Sequence, residues 1–240
     1  IAAAFRSIRS GSAAVALTGG ADAPVNDLTF ACLAQAGLIA PSAYSPDKAS
    51  RPFDKGHTVG IISEGAGLLV LEELTHARAR GAPIYAEITG YGSYMDENFD
   101  LPGSGFETAM REALSDARRR PEDVDYVSAH GPSHLVLDRR ETEAIHHVLG
   151  AHARQVAVSS IKGVTGNPLA AAGGLQAIAT ALAIQQQTVP PTANLEHPDP
   201  ACDLDYVPGQ ARRARLRTAL INTHGLGNGN SALIMEPLLA

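Results

Sequence analysis

The hydrophobic positions of the chain fall into short strand-like runs separated by segments with helical spacing. Residues 13–17, 124–129 and 219–223 are short apolar runs, which are typical of buried strands. Residues 106–119 carry Met, Leu and Ala side chains at intervals that place them on one side of a helix. Strands that alternate with helices in this way predict an α/β fold built in layers.

The segment 159–187 combines the end of a strand, a turn and a long apolar helix. Residues 162–166, with the sequence KGVTG, predict a sharp turn. A helix is predicted to start at Asn167–Pro168, because Asn is a favourable N-cap and Pro suits the first helical position. Few polar residues interrupt this helix, Gln176 and Thr180 among them, so it should be buried on nearly all sides. Buried helices of this composition are also common in α/β proteins where they have no chemical role.

Three further patterns predict local structure. Residues 18–22 are rich in Gly and predict a bend after the first strand. Residues 59–62 and 67–73 predict two strands joined by a tight Gly turn. A helix is predicted to start at Asp138, whose spacing to Glu141 is that of a capping box, so Glu141 also has a purely structural interpretation.

Composition and charge exclude several classes of function. The chain has 240 residues, which is enough for one large domain or two small ones, and its net charge of −6 argues against nucleic acid as the main partner. No apolar run is long enough to span a bilayer, and no signal-peptide pattern is present, so we expect a cytoplasmic protein without a membrane partner. Two cysteines fit a reducing compartment and are too few for a Cys-based zinc site.

Three polar, Gly-containing turns are candidates for chemistry, because each follows a predicted strand. They are residues 130–131, 162–167 and 224–230. Ligand groups collect at the carboxyl ends of strands in open α/β sheets, although a histidine at such a place is often structural. Residues 224–230 lack the spacing of a dinucleotide fingerprint and precede a strand rather than a helix, which excludes nucleotide binding there.

Several motifs, taken together and in order, resemble those of the β-ketoacyl-acyl-carrier-protein synthases of type II fatty acid and polyketide synthesis. The motifs are RPFD at 51–54, EGAG followed by LLVLEE at 64–73, His130-Gly131, SSIK with a later Thr-Gly at 159–166, the AAG of 171–173 and VPPT at 189–192. This resemblance implies a thiolase-like α/β fold with five αβαβα layers built from two similar halves. Residues 1–83 would be the remainder of the N-terminal half and residues 84–240 the C-terminal half.

The resemblance also implies a reaction. The family condenses an acyl group, held as a thioester on a cysteine, with a malonyl unit on a carrier protein, in a decarboxylative Claisen condensation. The expected partners are an acyl carrier protein and a second ketosynthase-type chain, in a homodimer or a heterodimer. No cofactor is expected, because the substrates are carried on the phosphopantetheine of the carrier protein.

The resemblance assigns catalytic positions residue by residue. His130 matches the first of two histidines that hold the malonyl thioester carbonyl, and Asn167 stands where the second is expected. Lys162 matches a lysine of the same motif, and Glu141 matches the acid that pairs with it. An amide N–H can donate to a developing oxyanion, so Asn167 is chemically tolerable as the second donor.

A second set of positions is assigned to substrate binding. Pro132 and His134 replace two threonines that contact the pantetheine arm in the family, and Leu226 stands where a gating phenylalanine is usual. The remaining members of the set, from the same Gly-rich loop, are His224, Gly225 and Gly227. The loop 56–59 also departs from the usual basic-acidic-glycine pattern.

The family's nucleophilic cysteine is expected a few residues before Ile1, and neither Cys32 nor Cys202 is in its place. Because Ile1 lies inside a helical pattern, we expect the cysteine to come from a separate chain or from a first half outside this sequence. The main hypothesis is therefore a ketosynthase subunit or fragment. The alternative is a non-catalytic partner of the chain-length-factor type that shapes the acyl channel. A degradative thiolase is a weaker option, because that group uses a cysteine in the loop at 224–230, which has none.

Overall fold

The computed structural model describes residues 1–39, 41–98 and 101–238. The helices are α1 Ala2–Arg9, α2 Asp27–Gln35, α3 Leu74–Ala79, α4 Phe106–Asp116, α5 Leu135–Leu149, α6 Lys162–Thr165 and α7 Ala172–Gln186. The strands are β1 Val15–Asp22, β2 Gly65–Glu72, β3 Glu87–Met95, β4 Tyr126–Ser128, β5 Ala157–Ser159, β6 Thr188–Val189, β7 Arg212–Arg213, β8 Ala219–His224 and β9 Gly229–Glu236. Within the described residues, no helix combines the length and the hydropathy that a bilayer-spanning segment requires.

A five-stranded sheet with the order β3-β9-β8-β4-β5 forms the centre of the molecule. Strand β4 runs parallel to both β5 and β8, whereas β9 runs antiparallel to both of its neighbours. Successive side chains of a strand point to opposite faces, so each face has its own core. Val127 packs with α4 and α5 on one face, while Tyr126 packs with α7 on the other.

A two-stranded antiparallel sheet, β1 with β2, lies against the other side of α7. One of its faces is exposed, and Leu17 there is 72% accessible. The order of layers is therefore α4 and α5, the large sheet, α7, and the small sheet. The layered α/β fold predicted from the alternation of elements is confirmed. The division into 1–83 and 84–240 stays a prediction, although all strands of the five-stranded sheet come after residue 84.

The Gly-rich residues 18–22 form no bend, and that prediction was wrong. They continue β1, with Gly19 opposite Leu68 and Gly20 opposite Gly67. A Cβ on Gly19 would lie 2.0 Å from the carbonyl oxygen of Gly67, and one on Gly20 would lie 2.0 Å from that of Ala170. These glycines therefore permit close contact between backbones rather than a change of direction.

Two other predicted boundaries were also wrong. Residues 59–62 form only isolated bridges, and β2 pairs with β1 instead of with them. The long helix begins at Ala172 rather than at Asn167. The backbone of Asn167 is engaged elsewhere, because its N–H donates to Ile61 O at 2.7 Å and its carbonyl accepts from Ser63 N at 3.1 Å.

Candidate active site

Three strands end at the same edge of the large sheet, because β5, β4 and β8 are neighbours in it. His130 follows β4, Lys162 follows β5, and His224 ends β8. The Lys162 ammonium donates to the carbonyl oxygen of His130 at 2.5 Å. The backbone N–H of His224 donates to His130 Nδ1 at 3.2 Å. The structure thus brings residues from three separate parts of the sequence around one imidazole.

The hydrogen bonds of His130 fix its tautomer. A backbone N–H can only donate, so Nδ1 of His130 must be the unprotonated nitrogen, and in the neutral ring the proton lies on Nε2. Burial lowers the pKa of His130 well below its usual value of 6.5, and Lys162, His224 and His134 lower it further. The ring is therefore a neutral donor that presents Nε2–H, which has no hydrogen-bond acceptor among the residues the structure describes.

Glu141 fixes the backbone that carries His130. Its carboxylate accepts from the N–H groups of His130 and Gly131, both at 2.8 Å, and from Asn222 Nδ2 at 3.0 Å. The capping-box interpretation of Glu141 is wrong, because α5 begins at Leu135 and the residue that caps it is His134. Since three donors converge on this buried side chain, Glu141 holds the turn after β4 in place.

Lys162 and Glu141 do not form the direct ion pair that the resemblance implied. Within the described part of the chain, the Lys162 ammonium donates to His130 O and Gln176 Oε1 and forms no salt bridge with a carboxylate. The two groups instead hold opposite ends of His130, Lys162 at its carbonyl and Glu141 at its N–H. Burial raises the pKa of Glu141 to about 7 and lowers that of Lys162 to about 8, while each charge opposes the shift of the other.

Gln176 is a member of this cluster that sequence reasoning did not assign. Its Oε1 accepts from Lys162 Nζ at 3.1 Å, and its Nε2 donates to Ala129 O at 2.9 Å and to Asn222 O at 3.1 Å. The side chain therefore ties α7 to the ends of β4 and β8. The signal was visible in the sequence, because Gln176 is one of the few polar residues in an otherwise apolar helix.

Asn167 is half-buried, and among the described residues its side chain forms no hydrogen bond. The structure places it two residues after α6, in the segment that connects Lys162 to α7. It thus belongs to the same turn as Lys162 but does not join the hydrogen-bonded cluster. Its role as the second donor stays a prediction.

His134 has a structural contact that the sequence prediction did not include. Its Nδ1 accepts from the N–H of Val136 at 3.2 Å, which caps α5. Its neighbour Pro132 is buried, and a Cβ on Gly60 would lie 2.4 Å from the Pro132 carbonyl oxygen. Substrate contacts of Pro132 and His134 stay a prediction, but both residues have a packing or capping role as well.

A buried cluster of charged side chains contacts the segment that follows His130, and it was not predicted from the sequence. His57 Nδ1 lies 2.9 Å from Asp138 Oδ2, and His57 Nε2 lies 2.9 Å from Asp199 Oδ2. Asp138 also accepts from the backbone N–H groups of Phe53 and His134. Burial alone would lower the pKa of His57, but the two carboxylates outweigh it and raise that pKa.

The Gly-rich loop is shorter than predicted, because β8 extends to His224 and β9 begins at Gly229. Leu226 is 58% exposed. The side chain of His224 points into the cluster, with its ring centroid 5.8 Å from that of His130. Its Nδ1 lies 3.1 Å from Asn230 Oδ1.

Neither cysteine lies in this cluster. Cys202 is buried in the core with Tyr206, where burial raises the pKa of its thiol to about 12. Cys32 is exposed on α2. In the described ranges, no three His, Cys, Asp or Glu side chains are arranged to hold a metal ion. Two surface cavities, of about 560 and 480 Å³, lie beside Tyr91 and His147, away from the cluster.

Comparison with known sequences finds two matching families. Residues 1–77 match the family described as beta-ketoacyl synthase, N-terminal domain, and residues 85–196 match beta-ketoacyl synthase, C-terminal domain. The 3-oxoacyl-acyl-carrier-protein synthase 2 of Synechocystis sp. is 45% identical over 97% of this chain and 57% of its own length. A putative polyketide beta-ketoacyl synthase 1 of Streptomyces cyaneus is 44% identical over 97% of this chain and 56% of its own length. The chain thus spans little more than half the length of these relatives.

Solved structures show the same fold. A ketosynthase bound to a hexaketide, in complex with a type II polyketide acyl-carrier protein, superposes with a TM-score of 0.95 at 37% identity, over 99% of this chain and 59% of that one. The ishigamide ketosynthase/chain length factor superposes with a TM-score of 0.89 at 38% identity, over 98% and 57% of the two chains. The motifs, the geometry and these comparisons agree that the chain belongs to the beta-ketoacyl synthase family and has its thiolase-like fold.

Proposed function

We propose that the chain carries the malonyl-binding side of a β-ketoacyl-acyl-carrier-protein synthase, an acyltransferase of fatty acid or polyketide synthesis. The observation that carries this proposal is the neutral His130, whose Nε2–H has no acceptor among the described residues while its Nδ1 accepts the His224 N–H. A donor held in place before the reaction begins stabilises an oxyanion without the cost of reorganisation. His130 thus suits a thioester carbonyl that becomes an enolate.

The reaction proceeds by loss of carbon dioxide. The bond between the malonyl α-carbon and its carboxylate breaks, and the electron pair moves to the thioester oxygen, which accepts from His130 Nε2–H and from the amide of Asn167. The α-carbon of the enolate then attacks the acyl thioester, a carbon–carbon bond forms, and the cysteine thiolate leaves. In this proposal the cysteine lies outside the 240 residues.

The buried charges of Lys162 and Glu141 determine the electrostatic environment of this oxyanion. Lys162 contacts the His130 carbonyl and also lies 3.5 Å from His130 Nδ1, so its positive charge favours the neutral ring. Glu141 balances that charge through the N–H of His130 and keeps the turn rigid. Together they keep the ring in its donor form without contacting the substrate.

The partners and the location follow from the same proposal. Substrates would arrive on the phosphopantetheine of an acyl carrier protein, without a further cofactor, and a second ketosynthase-type chain would complete the dimer. A relative of this fold has been solved with an acyl-carrier protein, which supports that choice. The free cysteines fit a reducing cytoplasm.

A non-catalytic partner subunit is the second candidate. It is favoured by Asn167, whose side chain lacks a hydrogen-bond partner in the described structure, and by the fold shared with a ketosynthase/chain length factor. Such a subunit would shape the acyl channel through Leu226 and release no carbon dioxide itself.

Release of ¹⁴C-labelled carbon dioxide from malonyl-carrier protein separates the two candidates. We expect release by the parent chain and a fall of about 100-fold or more in His130→Ala, because one oxyanion donor is lost. His147→Ala is the matched control, since His147 is exposed on the outer face of α5. Equal release by the parent and His130→Ala would overturn the enzyme assignment, and absence of release from both would favour the partner subunit.

A further inference from the structure

His224 is a second imidazole of the site, and its surroundings fix the tautomer opposite to that of His130. The amide nitrogen of Asn230 faces acceptors, namely Asp96 Oδ1 at 2.6 Å and Tyr94 O at 3.3 Å. The amide oxygen of Asn230 therefore faces His224, where Nδ1 lies 3.1 Å away. Because a carbonyl oxygen only accepts, Nδ1 of His224 must donate.

The neutral ring of His224 consequently has its lone pair on Nε2. No described residue donates a hydrogen bond to that nitrogen, and the side chain is 6% exposed. Nδ1 of His130 is occupied by a donor, whereas Nδ1 of His224 is occupied by an acceptor. The two rings thus present a hydrogen-bond donor and a base from neighbouring positions.

A buried carboxylate lies close to His224. Asp96 Oδ2 lies 3.8 Å from His224 Nδ1, and Asp96 is held by the backbone N–H groups of Gly103 and Gly105 at 2.8 and 2.7 Å. Asp96, bridged by Asn230, therefore acts as the orienting group that a general base requires.

Enolisation of a thioester uses a donor at the carbonyl oxygen and a base at the α-carbon. In such a substrate the carbonyl oxygen and the α-carbon are about 2.4 Å apart, given the C=O and C–C bond lengths. Each lies about 3 Å from the nitrogen that contacts it. The rings of His130 and His224 are neighbours, with centroids 5.8 Å apart, and the ring of Phe106 packs beside both.

Decarboxylation itself needs no base, because the electron pair of the enolate comes from the broken carbon–carbon bond. A free basic nitrogen beside the donor therefore indicates another reaction. We propose that His224 is a catalytic base, whose Nε2 removes a proton from the α-carbon of an acyl thioester without an α-carboxylate, while His130 Nε2–H holds the thioester oxygen. This inference rests on the oxyanion role of His130 in the proposed function.

The step balances without a further reactant. The α C–H bond breaks, the proton forms an N–H bond on His224 Nε2, and the electron pair moves through the carbonyl carbon to the oxygen. In the reverse direction the α-carbon takes the proton back. In D₂O the returned atom is deuterium, so the reaction is visible as exchange, and this exchange requires no nucleophilic cysteine.

The experiment measures α-hydrogen exchange of S-acetyl-N-acetylcysteamine in D₂O by mass spectrometry, alongside decarboxylation of S-malonyl-N-acetylcysteamine. We expect the parent chain to catalyse exchange above the buffer rate, and His224→Phe to lower exchange by about 100-fold. The ratio of exchange to decarboxylation should fall in His224→Phe, and both rates should fall in His130→Ala. His147→Phe is the matched control for the loss of an imidazole.

The outcomes separate the two proposals. Exchange without decarboxylation by the parent would contradict the proposed function but support His224 as a base. Decarboxylation without exchange, or an unchanged ratio in His224→Phe, would overturn the inference on His224. A second measurement needs no variant: ¹⁵N chemical shifts of the histidines should show Nδ1–H with an unprotonated Nε2 on neutral His224, and the opposite tautomer would overturn the proposal.

Discussion

The floor of the site and its rim are built in different ways. The floor, which consists of Glu141, Lys162, Gln176 and Asn222, is 0–1% exposed, and each of its side chains makes hydrogen bonds within the cluster. The rim, defined here as Asn167 and Leu226, makes no side-chain hydrogen bonds in the described structure, and Leu226 is 58% exposed. The difference predicts that substitutions on the floor lower stability, whereas substitutions at the rim leave the fold intact.

The largest effect is expected from Glu141→Leu. It leaves the N–H groups of His130 and Gly131 without their acceptor and removes the negative charge nearest to buried Lys162. Each buried N–H group that loses its acceptor costs about 1–3 kcal/mol, and we expect a loss of about 2–5 kcal/mol in the free energy of unfolding. Urea denaturation measures it, with Glu143→Leu as the control on the exposed side of the same helix. A loss as small as that of the control would show that the floor does not support the fold.

The cluster of His57, Asp138 and Asp199 should make the free energy of unfolding depend on pH. His57→Asn should lower the free energy of unfolding by about 1–3 kcal/mol, because buried Asp138 and Asp199 lose a charged partner. The pKa of His57 is raised above 6.5 in the folded chain, so its stabilisation is complete below that pH and declines as the pH rises through the folded value. The difference between parent and variant should therefore narrow above pH 6.5. A constant difference from acid to alkaline pH would contradict the charged state of His57.

At the rim, substitution of Asn167 should lower activity with little change in stability. Asn167→Leu should reduce the proposed carbon dioxide release by about 100-fold, since one oxyanion donor is lost. Its free energy of unfolding should change by only about 0.5 kcal/mol, because the side chain has no hydrogen bond to lose. Asn167→His restores a donor and should recover most of the release. A large loss of stability in Asn167→Leu would place this residue with the floor instead.

The smallest effect is expected at Leu226. Leu226→Phe should leave the free energy of unfolding within about 0.5 kcal/mol of the parent value, because the position is exposed. The same change should alter which acyl chain lengths are accepted, and a chain-length series of acyl thioesters measures that preference. An unchanged preference would remove Leu226 from the substrate channel.

The sequence predicted the layered fold and the place of His130 at the end of a strand, because hydrophobic periodicity and strand ends are local signals. It predicted a sharp turn at residues 162–166, where the structure has the short helix α6. It did not predict the hydrogen bonds of Gln176 or His57, since their partners come from distant parts of the chain. Asp96 and Asn230, for example, are 134 positions apart and meet only because β3 pairs with β9. The error at residues 18–22 has a related cause, because glycines that let backbones approach have the same composition as glycines that turn a chain.

The protonation of His130 tests the central claim most directly. A ¹⁵N-histidine titration by NMR should show Nδ1 unprotonated and Nε2 carrying the proton, with the ring still neutral well below its usual pKa of 6.5. Protonation of the ring near pH 6.5, or a neutral ring with its proton on Nδ1, would contradict the account.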